Sequence, residues 1–99
     1  MSIKINSVQF KADKQLENFI ENKVNKLIKH HDDVIGAEII LKLENTPDMD
    51  NKIAEIKIEI PGNDLFAKKQ SKSFESSTDT AVEALRRQLK KHKEKLRSR

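Results

Sequence analysis

The chain has no cysteine, tryptophan or tyrosine, and only two glycines and two prolines among its 99 residues. Without cysteine it can form neither a disulfide nor a thiolate metal site, which is compatible with a reducing compartment. No apolar stretch approaches the ~20 residues of a membrane helix, and the N-terminal segment MSIKINSVQF lacks the basic region and apolar run of a secretory signal. We therefore expect a soluble, cytoplasmic protein that makes no contact with a membrane.

Signatures of catalysis and of bound cofactors are equally scarce. The two glycines are far apart, so there is no glycine-rich phosphate loop. The run His30-His31-Asp32-Asp33 has metal-ligand residue types, but neighbours on a helix point about 100° apart and are poorly placed to chelate one ion. His92 falls on an apolar helical stripe and is expected to be a boundary histidine with a polar partner. These patterns predict a non-enzymatic protein without a metal, a cofactor or a small-molecule substrate.

The composition by itself is close to that of a disordered chain, because 36% of residues are charged and 35% are hydrophobic, below the roughly 45–50% typical of globular domains. The apolar residues are strongly patterned, however, and this favours a folded protein. The length fits a single domain over residues 1–99. Of the four phenylalanines, we expect Phe10, Phe19 and Phe74 to pack in the core, whereas Phe66 lies on a weaker strand.

Apolar periodicity predicts six elements. The first strand covers about residues 3–10, and its broken alternation between Ile5 and Val8 indicates a bulge or bend. A helix follows from about residue 14 to 31, with Asp13 as its N-cap. Strands are predicted over residues 37–44, 54–60 and 65–70, with turns over residues 45–48 and 61–64. Ser73 caps a second helix that continues to the last turns of the chain.

This order, β-α-β-β-β-α, predicts an α+β fold. A right-handed β-α-β crossover makes the first two strands parallel, and two hairpins then make the fourth strand parallel to the first. Each helix follows one of these two strands, so the helices run parallel to each other. We expect both to pack on one face of a four-stranded mixed sheet, with lysines Lys68 and Lys69 protecting a sheet edge.

The charge is concentrated at one end of the chain. Residues 80–99 contain eight basic and two acidic residues, a net charge of +6, whereas the other 79 residues contain twelve basic and fourteen acidic ones, a net charge of −2. A weakly acidic body with a basic end is typical of proteins that bind a polyanion. A solvated helix rich in lysine is the simpler alternative, and charge alone separates the two readings only slightly.

Helical geometry sorts these charges onto flanks. Arg86, Lys90, Lys93 and Arg97 form one stripe beside the apolar face of the second helix. On the first helix, Lys26 and His30 lie on one flank, bordered by Lys23 and Lys29. In two parallel helices on one sheet, these basic flanks either meet across the groove between the helices or both point outward. We favour the groove, because it concentrates positive potential.

The element order and three segments, KVNKLIKH, EIILKLE and ALRRQLKKHKEKLRSR, resemble the ribosome hibernation promoting factors. This family is also described as ribosome-associated inhibitor, ribosomal subunit interface or sigma-54 modulation proteins. The likeness covers essentially the whole chain, in the short form that lacks a second dimerising domain. Tyrosine, often found at the start of helix 2 in the family, is replaced here by the stretch Ser73-Phe74-Glu75.

The resemblance implies a non-enzymatic stress factor that binds the small ribosomal subunit and its ribosomal RNA in the channel for messenger and transfer RNA. Ribosomes would thereby be kept idle, and the free protein would be a monomer. The basic residues expected to contact RNA, from the resemblance and from the stripe together, are Lys23, Lys26, Lys29, Lys42, Arg86, Arg87, Lys90, Lys91, Lys93, Lys95 and Arg97. Two alternatives stay open: a regulator that docks a protein through its helix or sheet surface, and a generic double-stranded-RNA-binding module.

Overall fold

The computed structural model of the chain describes residues 2–8, 10–44 and 51–97. The elements are β1 (Ser2–Val8), α1 (Lys14–Ile28), β2 (Gly36–Leu43), β3 (Lys52–Ile60), β4 (Asn63–Ser71) and α2 (Phe74–Arg97). The predicted order β-α-β-β-β-α is confirmed. The turn predicted over residues 45–48 lies outside the described residues.

The four strands form one mixed sheet in the order β1-β2-β3-β4. β1 pairs with β2 in parallel, and the other two pairs are antiparallel, so β4 runs in the same direction as β1. Both helices lie on one face of this sheet, since the buried residues of α1 and α2 share one core with the inward residues of the strands. The α+β fold predicted from the pattern is therefore confirmed.

The core is a single apolar layer between the helices and the sheet. Ile39 and Leu41 of β2, Ile56 and Ile58 of β3, and Leu85 and Leu89 of α2 are all fully buried. Phe10 and Phe74 stack at one end of this layer, with their ring centroids 4.6 Å apart. Phe19 packs against the core from α1, so the three predicted core phenylalanines are confirmed, whereas Phe66 is half exposed on the opposite face of the sheet.

Hydrogen bonds from side chains begin both helices as predicted. The Asp13 carboxylate accepts from the Leu16 backbone N–H at 2.8 Å, and the Ser73 hydroxyl accepts from the Ser76 N–H at 3.1 Å. Each bond satisfies one of the backbone donors that a helix leaves without a partner at its start. The caps therefore fix where each helix leaves its preceding loop.

Several boundaries differ from the prediction by one to three residues. β1 ends at Val8 instead of residue 10, and its pairing with β2 is unbroken, so the predicted bulge is wrong. Val8 simply faces the open side of the sheet, where it is 41% exposed. α1 ends at Ile28 instead of residue 31, because the chain tightens into a turn in which the His31 N–H donates to the Ile28 carbonyl at 3.0 Å. β4 starts at Asn63, directly after Gly62 at a φ of 81°, a conformation that glycine adopts without strain.

The first turns of α2 bury two hydroxyls in different surroundings. Ser77 Oγ donates to the Lys52 carbonyl at 2.6 Å and is also 2.8 Å from Ser71 Oγ. The neighbouring Thr78 Oγ1 is buried and has no hydrogen-bond partner within the described part of the chain. The Ser77 hydroxyl therefore connects α2 to β3 and β4. The Thr78 hydroxyl is removed from water on folding and gains no hydrogen bond in exchange.

We predict opposite effects of removing these two hydroxyls. Thr78→Val keeps the shape of the side chain and should raise the free energy of unfolding by about 1 kcal/mol, because an unsatisfied buried hydroxyl costs roughly 1–3 kcal/mol. Ser77→Ala should lower it by about 1–2 kcal/mol, because the Lys52 carbonyl is left without its donor. Urea denaturation measures both. A loss of stability in Thr78→Val would show that its hydroxyl has a partner.

Candidate nucleic-acid interface

An ion pair joins the two helices across the groove between them. Lys23 Nζ of α1 lies 2.9 Å from Asp79 Oδ1 of α2. Arg86 is two turns beyond Asp79 on the same flank, and Lys26 is one turn beyond Lys23. The flank of α1 that carries Lys26 therefore faces the flank of α2 that carries Arg86. This is the arrangement favoured from the sequence, and the outward alternative is excluded.

The first half of the groove is close to neutral. Lys23 is held by Asp79 and by the ring of Phe19, whose centroid is 5.6 Å from Nζ. Arg86 forms an ion pair with Glu83 one turn earlier on α2. These pairs are about half exposed and contribute only about 0–1 kcal/mol each, so they restrain the cations without fixing them.

The second half of the groove is more basic. Lys90 and Lys93 continue the stripe of α2 beyond Arg86, and within the described ranges neither forms an ion pair. Both are exposed, as is Lys26 on the facing flank. The positive charge available to a ligand therefore increases along the groove toward the C-terminal ends of the helices.

A pocket closes this basic end of the groove. It is lined by His30, His31, Asp32, Asp33, His92 and Lys93. His92 Nε2 lies 2.8 Å from Asp33 Oδ2, so the prediction of a boundary histidine with a polar partner is confirmed. The prediction that His30 and His31 lie on the first helix is wrong, because α1 ends at Ile28, and both residues line this pocket.

Burial lowers the pKa of His31 below its ordinary value of 6.5, and the nearby charge of Lys93 lowers it further. The carboxylate of Asp33 acts in the opposite direction, and His30 and His92 add smaller lowering contributions. A proton on His31 is therefore disfavoured, since its positive charge would be partly desolvated and close to a lysine.

The remaining residues predicted to contact RNA lie elsewhere. Lys42 is on the open face of the sheet, where its Nζ is 2.8 Å from Glu55 Oε2. Lys91 lies on the other flank of α2, toward Asn63 and Leu65 of β4, and Arg87 is exposed on the same helix. Lys29 is exposed just after α1. The side chains of Lys95 and Arg97 lie outside the description.

The open face of the sheet differs electrostatically from the groove. Opposite charges face each other across its strands, as in the register of Lys4 with Glu38 and of Glu55 with Lys68. By the alternation of the strands, this face carries the lysines Lys4, Lys42, Lys57 and Lys68 and the acids Glu38, Glu55, Glu59 and Asp64. Its formal charge is balanced, so it offers a polyanion no net attraction.

Two further properties bear on the kind of site. Within the described ranges, no group of three or more histidine or acidic side chains is placed to hold a metal ion. No helix in the described residues is long and apolar enough to cross a membrane.

The fold defines a small α+β protein in which a mixed sheet carries two parallel helices on one face. A ribosomal subunit interface protein from Coxiella burnetii has the same fold, with a TM-score of 0.83 at 22% identity over 94% of this chain and 98% of that one. The N-terminal domain of Protein Y from Thermus thermophilus superposes with a TM-score of 0.79, also at 22% identity, over 93% and 99% of the two chains.

The sequence narrows this class to one family. The family described as Sigma 54 modulation protein / S30EA ribosomal protein matches residues 3–97, and the chain belongs to it. A ribosome hibernation promoting factor of Pseudomonas putida is 28% identical over 98 residues, covering 99% of this chain and 92% of that protein. A protein of the same name in Azotobacter vinelandii is 27% identical over 95 residues, covering 96% and 85% of the two chains.

The lowered pKa of His31 predicts a pH dependence of stability. Between the folded-state pKa and the ordinary value of 6.5, the unfolded chain binds more protons than the folded one, so the free energy of unfolding falls as the pH is lowered through this range. His31→Asn should weaken this decline. Urea denaturation of both proteins on either side of that range measures the difference. Parallel declines in the two proteins would contradict the assignment to His31.

Proposed function

We propose that this chain binds the small ribosomal subunit through the basic end of the groove between α1 and α2. In this proposal it occupies the channel for messenger RNA and transfer RNA, inhibits translation and keeps ribosomes idle in the cytoplasm. The observation that carries the proposal is the meeting of two basic flanks in one groove, opposite a charge-balanced sheet face. Family membership and the names of the Pseudomonas and Azotobacter relatives support ribosomes as the partner.

The proposed mechanism is binding without chemistry. Lysine and arginine in the groove would neutralise backbone phosphates and release their counterions, which makes the affinity decrease steeply with salt. Contacts to phosphates position a protein on RNA without reading its bases. Shape and charge would therefore select the ribosomal channel, and neither a cofactor nor a catalytic group is needed. Lys23, Lys26, Arg86, Lys90 and Lys93 are the residues proposed to face RNA from the groove.

Base stacking is a weaker explanation for the same partner. Single-strand binders present exposed aromatic rings on which bases stack. Here Phe74 is buried, Phe10 and Phe19 pack against the core, and Phe66 lies on the face opposite the groove. The groove therefore offers charge in place of a stacking surface, which agrees with a backbone-directed contact.

Reversing the stripe tests the proposal directly. The variant Arg86→Glu, Lys90→Glu, Lys93→Glu should bind small subunits on the order of a hundredfold or more weakly, because three phosphate contacts become repulsive. Co-sedimentation with small subunits at moderate salt measures this loss. A random RNA duplex serves as competitor, since a generic duplex-binding module would be displaced by it.

A matched variant separates the effect of the position of the charges on affinity from the effect of the net charge. Lys11, Lys14 and Lys72 are exposed residues before or at the start of the helices, so Lys11→Glu, Lys14→Glu, Lys72→Glu makes the same charge change at the far end of the helix layer. We expect its affinity to stay within about tenfold of wild type, because only long-range, screened attraction is lost. Equal binding by the stripe variant and wild type would refute the groove and indicate a protein-docking surface.

Substituting two neighbouring lysines one at a time tests which flank of α2 contacts RNA. Lys90 faces the groove and Lys91 faces β4, although they are the same residue type and adjacent in the chain. Lys90→Glu should weaken binding to small subunits by about tenfold, because one phosphate contact is lost, and should reduce the slope of log affinity against log salt by about one. Lys91→Glu should weaken binding by clearly less. A larger effect of Lys91→Glu would move the RNA contact to the β4 side of the helix.

A further inference from the structure

All three histidines of the chain line one pocket. The sequence contains only His30, His31 and His92, and the end of α1 and the last third of α2 bring them together at the basic end of the groove. The pocket also contains Asp32, Asp33 and Lys93. Every imidazole of the protein is therefore placed where the proposed RNA site ends, and imidazole is the side-chain type that changes its charge near physiological pH.

The formal charge of this pocket changes sign as its histidines take up protons. With three neutral imidazoles, two aspartates and one lysine give a charge of −1 among the lining residues. With three protonated imidazoles, the same residues carry a charge of +2. The carbonyls at the C-terminal end of α1 add a partial negative charge in both states. A phosphate is consequently repelled from the pocket in the first state and attracted in the second.

The groups inside the pocket differ in what they can offer an anion. Asp33 is occupied by His92 at 2.8 Å, and this pairing is strongest when the imidazole is protonated. His30 and Lys93 are exposed, and His31 is partly buried in the same pocket. The residues free to face an anion are thus His30, His31 and Lys93.

The surroundings of His31 are contributed by two elements. The end of α1 supplies His30, Asp32 and Asp33, and α2 supplies His92 and Lys93. From β4, the uncharged residues Asn63 and Leu65 reach the far side of His92, next to Lys91. The sign of the potential at His31 is therefore decided by the two aspartates, Lys93 and the protons on the histidines.

We propose that this histidine pocket is a pH-dependent phosphate site, which binds a backbone phosphate of RNA when the histidines are protonated and so strengthens ribosome binding as the pH falls. The inference rests on the proposed function, because the phosphate is taken to belong to the RNA in the groove. It assigns to His30 and His31, together with Lys93, a contact that the lysine stripe alone does not provide.

The direction of the pH effect follows from the repulsion between a protonated His31 and Lys93. Burial and Lys93 lower the pKa of His31, so in the free protein this histidine is largely neutral at neutral pH. A phosphate between His31 and Lys93 replaces a like-charge contact by two opposite-charge contacts and raises that pKa. Binding and protonation then favour each other, and the affinity for RNA increases as the pH is lowered through about 6.5 and below.

Binding to small subunits on both sides of the histidine range tests the proposal. The dissociation constant of wild type should fall by about tenfold between about pH 8 and about pH 6, and the slope of log affinity against log salt should steepen by about one for the added phosphate contact. The histidine-free variant His30→Gln, His31→Asn, His92→Gln should show neither change beyond the response of the ribosome itself. Equal pH responses of the two proteins would overturn the phosphate site.

A second variant and a direct titration keep this test decisive. His30→Gln, His31→Asn retains the contact of His92 with Asp33, and it should lose most of the pH response even if the triple variant unfolds. NMR titration of the imidazoles should show the pKa of His31 rising when inorganic phosphate is added to wild type, because a bound phosphate favours the protonated imidazole, and an unchanged pKa would overturn the proposal. If wild type fails to bind small subunits at any pH, the proposed function fails instead.

Discussion

A single apolar layer between two helices and a sheet determines the rest of the molecule. Only 35% of residues are hydrophobic, and the buried ones fall almost entirely in one continuous core. The sheet can therefore have one apolar face only, and both helices must cover it. Because α1 follows β1 and α2 follows β4, and these strands run in the same direction, the helices are forced to lie parallel and side by side.

Parallel helices place like ends together. The acidic residues Glu17, Glu75 and Asp79 lie near the helix starts and the basic residues near the ends, as each helix dipole favours. In an antiparallel pair these charges would alternate and cancel, whereas here they add along the groove. Side-by-side dipoles also repel, and two polar contacts oppose this repulsion: Lys23 pairs with Asp79 between the helices, and His92 of α2 contacts Asp33 in the loop after α1.

The sequence is sufficient to predict the order of the elements, the sheet topology and the basic helix flanks that face each other. Each of these depends on the period of apolar residues or on the direction of a strand. Local detail was harder. The broken alternation at Val8 indicates a bulge, but the strand is regular and the polar residue Ser7 occupies the inward position. The Ser7 hydroxyl accepts a hydrogen bond from the Ala12 N–H at 3.4 Å. Alternation alone cannot distinguish a bulge from a polar residue on the inner face.

The histidine pocket cannot be predicted from the sequence, because it depends on where α1 ends. A helix continued through residue 31 would place His30 and His31 about 100° apart, whereas the chain turns after Ile28 and both residues line one pocket. His92 is 59 residues away in the sequence from Asp33, the residue it contacts, and no local sequence pattern predicts this contact. The histidines were visible as ligand types, but their convergence depends on where a helix stops, which is the least predictable feature of a helix from sequence.

Separation of charge matters more here than its amount. A net charge of +4 is modest for a polyanion-binding protein, and a charge-balanced sheet face contributes nothing to attraction. The gradient along the groove, close to neutral in its first half and basic toward the helix ends, would give the molecule a direction in the field of a polyanion. Among the described residues, Phe10, Phe19 and Phe74 pack in or against the core and Phe66 lies on the opposite face of the sheet, so charge is what would orient the protein. A substitution that kept the net charge but moved cations to the helix starts would therefore remove the orientation while leaving the composition unchanged.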